Sequence, residues 1–205
     1  MELNGQDIVA WFDYTNEKIQ QHKEYLTSLD QPIGDGDHGI NMARGYQETV
    51  KRLAAKEYSE PSEVLKDASM TLLSKVGGAS GPLYGTAFLK MSMAVKGLET
   101  IDQDALVKGL EAALAGLKQR GKSEVGEKTL LDVWGPVVEY CSGNDLKVDV
   151  LLDTARTAME NTSGLQATKG RAAYFKEKSI GHIDPGSASS FYVFEALAEV
   201  LKEKL

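Results

Sequence analysis

The sequence predicts an all-α protein, an up-and-down bundle or barrel of about eight antiparallel helices. Apolar residues recur at helical spacing through long segments. No run of alternating apolar residues lies between turn signals, so a β-sheet core has no support. The connections between successive long segments are short, which favours antiparallel neighbours.

The helices fall at about 4–28, 38–57, 61–76, 80–98, 102–119, 129–142, 148–162 and 187–205. The first carries His22 in a polar stretch that reads as solvated. Asp37 stands where it can cap the second, and Ser80 where it can cap the fourth. The segment 102–118 has the plainest pattern: Leu106, Leu110, Ala113, Leu114 and Leu117 fall at i, i+4, i+7, i+8 and i+11, one stripe of a helix. Thr129-x-x-Asp132 reads as a capping box for the sixth helix. The last opens after a Pro-Gly turn with Ser187 as its cap. It buries Phe191, Phe194, Leu197, Ala198 and Leu201 and wets Glu195, Glu199, Lys202 and Glu203.

With 205 residues, 42% of them hydrophobic and 26% charged, the chain can bury one substantial core, and no Pro- or Ser-rich linker divides it. Residues 1–205 therefore read as a single domain. The net charge of −7 disfavours nucleic acid, whose phosphates require clustered Lys and Arg. A small phosphorylated ligand stays compatible with that charge if metal ions bridge it to acidic groups. The one cysteine, Cys141, excludes an internal disulfide framework and a thiolate cluster, and fits a reducing cytoplasm. Met1–Asp7 lacks the basic start and apolar run of a signal peptide, and no segment nears 18 uninterrupted apolar residues. The expectation is a cytoplasmic protein with no membrane partner.

Glycine and proline concentrate at 32–39, 77–85 and 181–186. The first of these stretches belongs to a loop that places Asp30, Asp35 and Asp37 within eight residues. Asp35 and Asp37, two apart, cannot share a helix face, so they converge only from a loop. Gly34, Gly36 and Gly39 allow the backbone such a loop needs. Two like charges about 4 Å apart repel by about 4 kcal/mol at an effective dielectric of about 20. A hard divalent cation reverses that balance, and all-oxygen ligands point to Mg²⁺, Ca²⁺ or Mn²⁺, with Mg²⁺ preferred. A Gly/Asp-rich surface turn with Asp37 as N-cap accounts for the same letters. Against it, Asp30 has no evident capping work, and the polar His38 and Asn41 follow.

Gly77-Gly78-Ala79-Ser80-Gly81-Pro82 precedes a helix, where free backbone N–H groups can receive phosphate oxygens. A helix–helix connection capped by Ser80 is the plainer reading. Gly116–Ser123 matches the P-loop expression, yet that motif works only between a strand and a helix, and here a Leu/Ala-rich helix precedes it. No Ser or Cys nucleophile pairs with His38 or His182 in the sequence, which leaves covalent hydrolysis without a basis.

Gly34-Asp35-Gly36-Asp37-His38-Gly39, Gly77–Gly85, Asp132-Val133-Trp134 and Asp184-Pro185-Gly186-Ser187 together resemble the signatures of the nucleotide-binding (L) subunits of dihydroxyacetone kinases. The resemblance runs in order from about residue 7 to 200. It implies a barrel of eight antiparallel helices with a nucleotide at one end under a lid. It implies two Mg²⁺ ions on Asp30, Asp35 and Asp37. It also implies nucleotide contacts from His38, Gly39, Ile40 and Asn41; from Gly78, Ala79 and Ser80; from Gly121, Thr129 and Leu130; and from Asp184, Pro185 and Gly186. Arg171 completes the set as the cation that stabilises charge on the transferring phosphoryl group.

The activity implied is a phosphotransferase one. Bound ADP is rephosphorylated by a phosphohistidine carrier protein of the phosphotransferase system and passes the group to dihydroxyacetone on a separate kinase subunit. Two alternatives stand beside it: an ATP-dependent L-type subunit with exchangeable nucleotide, and a P-loop nucleotide-binding protein using 116–123. L-like chains can also bind a transcription regulator, and the sequence leaves that as a second activity.

Overall fold

The computed structural model describes residues 1–143 and 145–204, so Leu205, the last residue of the final predicted helix, lies outside the described part. Among the described residues there are nine α-helices: α1 (Gly5–Gln21), α2 (Lys23–Asp30), α3 (His38–Leu53), α4 (Pro61–Lys75), α5 (Ser80–Ala94), α6 (Gln103–Gly121), α7 (Leu131–Gly143), α8 (Val148–Asn161) and α9 (Pro185–Lys202). Two 3₁₀ segments, Thr162–Gly164 and Arg171–Ser179, lie between α8 and α9. An isolated bridge pairs Leu3 with Ile101.

The predicted first helix is two. His22 leaves helical geometry at φ −105° and ψ 14° while its N–H still bonds the Lys18 carbonyl. Its ring stacks on Tyr192 with centroids 4.5 Å apart, so the expectation of a solvated histidine is corrected: a helix break is held by an aromatic face. The cap of α9 is corrected as well. Asp184 accepts from the Ser187 N–H at 2.7 Å and Pro185 takes the first helical position, where its missing N–H costs nothing.

The barrel follows from which helices touch. Along the chain α1 packs on α3, α3 on α4, α4 on α5, α5 on α6, α6 on α7, α7 on α8 and α8 on α9, and α9 returns to α1. Eight helices thus close a ring in sequence order, with short α2 laid against α3 and α9. Aromatic side chains from five of the eight ring helices meet in the interior. Trp11 and Phe12 (α1), Tyr46 (α3), Tyr84 and Phe88 (α5), Trp134 (α7) and Phe194 (α9) form one connected column, with edge-on pairs such as Phe12–Phe88 and Trp134–Phe194 at 4.8 Å. Offset and edge-on rings add roughly 0.5–1.5 kcal/mol per pair beyond the apolar area they bury.

Up-and-down order has one consequence for function. It brings the N-termini of α3, α5, α7 and α9 to the same end of the barrel, and residues at or just before all four line a single cleft. The positive ends of four helix dipoles therefore face one space.

Candidate nucleotide and metal site

The acidic loop is built around Asp30, the last residue of α2. Its Oδ2 accepts from the backbone N–H groups of Asp37 at 2.9 Å and His38 at 3.1 Å, while Asp37 makes no side-chain cap bond. Asp30 therefore caps α3 from a distance, correcting the expectation that it has no capping work and that Asp37 does it. Gly34 is required by contact: a Cβ there would stand 1.9 Å from Asp30 Oδ1. Gly36 takes a left-handed φ of 73°, the turn that returns the chain toward α3.

Folded this way, Asp30, Asp35 and Asp37 each offer a carboxylate oxygen within 4.8 Å of the others. Burial first, and then the Asp37 charge, push the Asp35 carboxyl above its ordinary range, against the pull of Arg171. Arg171 Nη1 lies 2.8 Å from Asp35 Oδ2. Three crowded hard oxygen donors, with the Asp35 proton affinity raised, are what a divalent cation relieves, so the residues present fit Mg²⁺.

The cleft is lined by Asp30, Asp35, Asp37, His38 and Asn41 on one side, by Gly78, Ala79 and Ser80 on the next, and by Thr129, Leu130, Asp184, Pro185 and Gly186 beyond. Lys169, Gly170, Arg171 and Ala172 close over it. Three expected contact residues are absent from this lining. Gly39 is buried against α2, where a Cβ would stand 2.1 Å from the Lys23 carbonyl, Ile40 is exposed, and Gly121 ends α6 beside Leu83 and Ser123.

The floor is a hydrogen-bonded chain. His38 Nδ1 lies 3.3 Å from Ser80 Oγ and His38 Nε2 3.0 Å from Ser189 Oγ. Ser189 meets the Tyr84 hydroxyl at 2.8 Å, Tyr84 meets Ser190 at 2.8 Å, and Ser190 accepts from Trp134 Nε1 at 3.0 Å. Burial drives His38 down to about 4, with Asp30 and Asp37 opposing, so its imidazole is neutral at pH 7, with one ring nitrogen donating and the other accepting. The serine run of α9 ties the aromatic column to the cleft, a role the sequence shows only as four small residues.

Asp132 does what the capping box predicts, accepting from the Thr129 N–H at 2.7 Å, while Thr129 Oγ1 accepts from Leu131. Two buried titratable groups stand nearby. Burial pushes Asp184 up to about 7, against its hydrogen bonds from Ser187 and the pull of Lys128. Lys128 has a left-handed φ of 60°, which costs a non-glycine residue roughly 1–2 kcal/mol, and it is 1% exposed. Reasoning from sequence missed it, because a lysine between Glu127 and Thr129 looks like any surface lysine.

The P-loop alternative does not survive this geometry. Residues 116–121 belong to α6, no strand precedes them among the described residues, and Lys122 is an exposed residue at φ 48° ending the helix. Ser80 is likewise no cap; it opens α5 with its hydroxyl turned to His38.

A family model described as the DAK2 domain matches residues 32–199. The chain belongs to the DAK2 domain family. This DAK2 domain is 53% identical over 93% of its length to "PEP-dependent dihydroxyacetone kinase 1, ADP-binding subunit DhaL" of Listeria innocua, covering 94% of that protein. It is 41% identical to the "PEP-dependent dihydroxyacetone kinase, ADP-binding subunit DhaL" of Escherichia coli, across 99% of this chain and 100% of that one. Among solved structures, the dihydroxyacetone kinase of C. freundii in complex with AMP-PNP and Mg²⁺ shares the fold. Its TM-score is 0.75 at 23% identity, covering 94% of this chain, which spans 33% of that one. Among the described residues, no helix of this DAK2 domain is long and apolar enough to cross a membrane.

Proposed function

We propose that this chain is the ADP-binding subunit of a phosphoenolpyruvate-dependent dihydroxyacetone kinase, a phosphotransferase. The observation that carries the proposal is the meeting of three carboxylates and four helix N-termini in one cleft of an acidic protein. Carboxylates alone would repel a nucleotide. With Asp30, Asp35 and Asp37 holding Mg²⁺, two ions on this reading, the metal screens the phosphates and neutralises charge that develops in transfer. N–H groups of the Gly78–Ser80 turn before α5 receive phosphate oxygens, the positive ends of the α3, α7 and α9 dipoles favour the same charge, and Arg171 supplies the cation for the transferring group. His38, neutral and fixed by two serines, serves as a hydrogen-bonding wall.

The relatives' names, which call those proteins subunits of PEP-dependent kinases, support a phosphoenolpyruvate-dependent donor upstream. The partners that follow are a phosphohistidine carrier of the phosphotransferase system and a subunit that holds dihydroxyacetone. Both must approach the same end of the barrel, since the cleft lies there, and they should compete. Mixing the chain with the acceptor subunit and excess ATP tests the resident-nucleotide form. About one turnover per chain supports it; rapid multiple turnover points to an ATP-dependent subunit with exchangeable nucleotide.

A further inference from the structure

Residues 162–182 leave the end of α8, pass over the cleft with Lys169, Gly170 and Arg171, and return to the start of α9. This cover has little core of its own. Ala167 and Ala172 pack with Ile33 of the acidic loop, and Phe175 joins them at the edge. Its base is drawn together by Ala167 N–H to Ser179 Oγ at 2.9 Å and Gly181 N–H to the Ser163 carbonyl at 2.7 Å.

Beneath that base lies the ammonium of Lys128. Its Nζ is 2.8 Å from the Thr162 carbonyl, 3.1 Å from Leu165, 2.7 Å from Ser179 and 2.5 Å from His182. Two of these carbonyls belong to the outgoing strand of the cover and two to the returning one. An ammonium has three hydrogens, so four backbone acceptors consume its donor capacity. Although Lys128 lines the cleft, it has no hydrogen left for a phosphate. Its backbone, strained at φ 60°, leads directly into Thr129 and Leu130 of the cleft wall. A residue that holds a strained conformation only to place a buried charge among carbonyls is over-determined by its surroundings.

We propose that Lys128 is a positioning residue that latches both ends of the cover to the cleft wall, and that this latch sets how long the nucleotide stays. The cover then opens by local unfolding of 162–182, with the barrel intact. The proposal rests on the cleft being the nucleotide site.

Two substitutions separate the ammonium from the backbone. Lys128→Met keeps much of the apolar stem and removes the charge. Lys128→Gly removes the side chain and relieves the left-handed φ. Hydrogen exchange on the nucleotide-free protein reads the latch by itself. Both variants should lose at least tenfold protection across 163–182 while α5 and α9 keep theirs, and Lys128→Arg should regain part of it. Release of a fluorescent ADP analogue in Mg²⁺ should quicken at least tenfold in both, with the unfolding midpoint of the barrel little changed. Wild-type protection in Lys128→Gly would assign the effect to backbone alone and overturn the latch. Loss of protection throughout the barrel in both variants would overturn it too, making Lys128 an ordinary core residue. Failure of the wild-type protein to bind the analogue would instead sink the nucleotide reading, and the exchange data would still decide the latch.

Discussion

Two segments of this chain look like phosphate-handling loops in the letters, and the fold treats them in opposite ways. In 30–41 the glycines are demanded by what surrounds them. Gly34 has Asp30 against it, Gly36 turns left-handed, and three carboxylates converge at the mouth of a cleft. In 116–123 the first glycine sits inside α6, where a Cβ would meet the flexible Lys90 side chain at 2.7 Å, and the lysine ends a helix in solvent. The first arrangement concentrates charge at helix N-termini; the second presents a helix C-terminus, whose dipole repels phosphate. Which end of a helix a motif occupies decides what it can bind.

The largest effect expected from this contrast follows from the aspartates. Asp35→Ala or Asp37→Ala should weaken Mg²⁺-dependent ADP binding by at least about a hundredfold, with helical content by circular dichroism nearly unchanged, because the loop lies outside the helical ring. A large loss of helicity would return the loop to a structural role. Next, Arg171→Ala should lower phosphoryl transfer by about a hundredfold or more at saturating ADP, the scale of removing one preorganised charge-stabilising group. Steady-state rates with both partner proteins measure it.

A smaller effect concerns pH. The folded-state pKa of Asp184 is raised from 3.8 to about 7. Between those values the unfolded chain is ionised while the folded chain keeps its proton, so stability from this group is present at low pH and lost as pH rises toward 7. Thermal unfolding of the metal- and nucleotide-free protein should show wild type falling relative to Asp184→Asn between pH 4 and 7, by on the order of a few kcal/mol. A constant gap would remove the burial cost ascribed to Asp184. At the small end, Lys122→Ala should reduce transfer less than tenfold, and that little should fade with added salt. A loss near a thousandfold would revive the P-loop.

Much of this was legible before the structure. Eight helical segments, the three Gly/Pro-rich stretches and the aspartate cluster all follow from residue spacing, and four ordered motifs tie them to one family. The His22 break was hidden, because it depends on Tyr192, 170 positions away, offering a ring. Asp30's capping bond was hidden because it spans seven and eight residues rather than three. Lys128 was hidden for the deepest reason: its partners are backbone carbonyls, which leave no trace in side-chain letters.

The central claim is that the aspartate cleft holds a magnesium-bound adenine nucleotide, and native mass spectrometry of the purified chain tests it most directly. The expected result is a mass increment of one ADP with two Mg²⁺ ions, lost together in Asp37→Ala. An apo mass that stays unchanged after incubation with ADP and Mg²⁺, in a chain with native helical content, would contradict it.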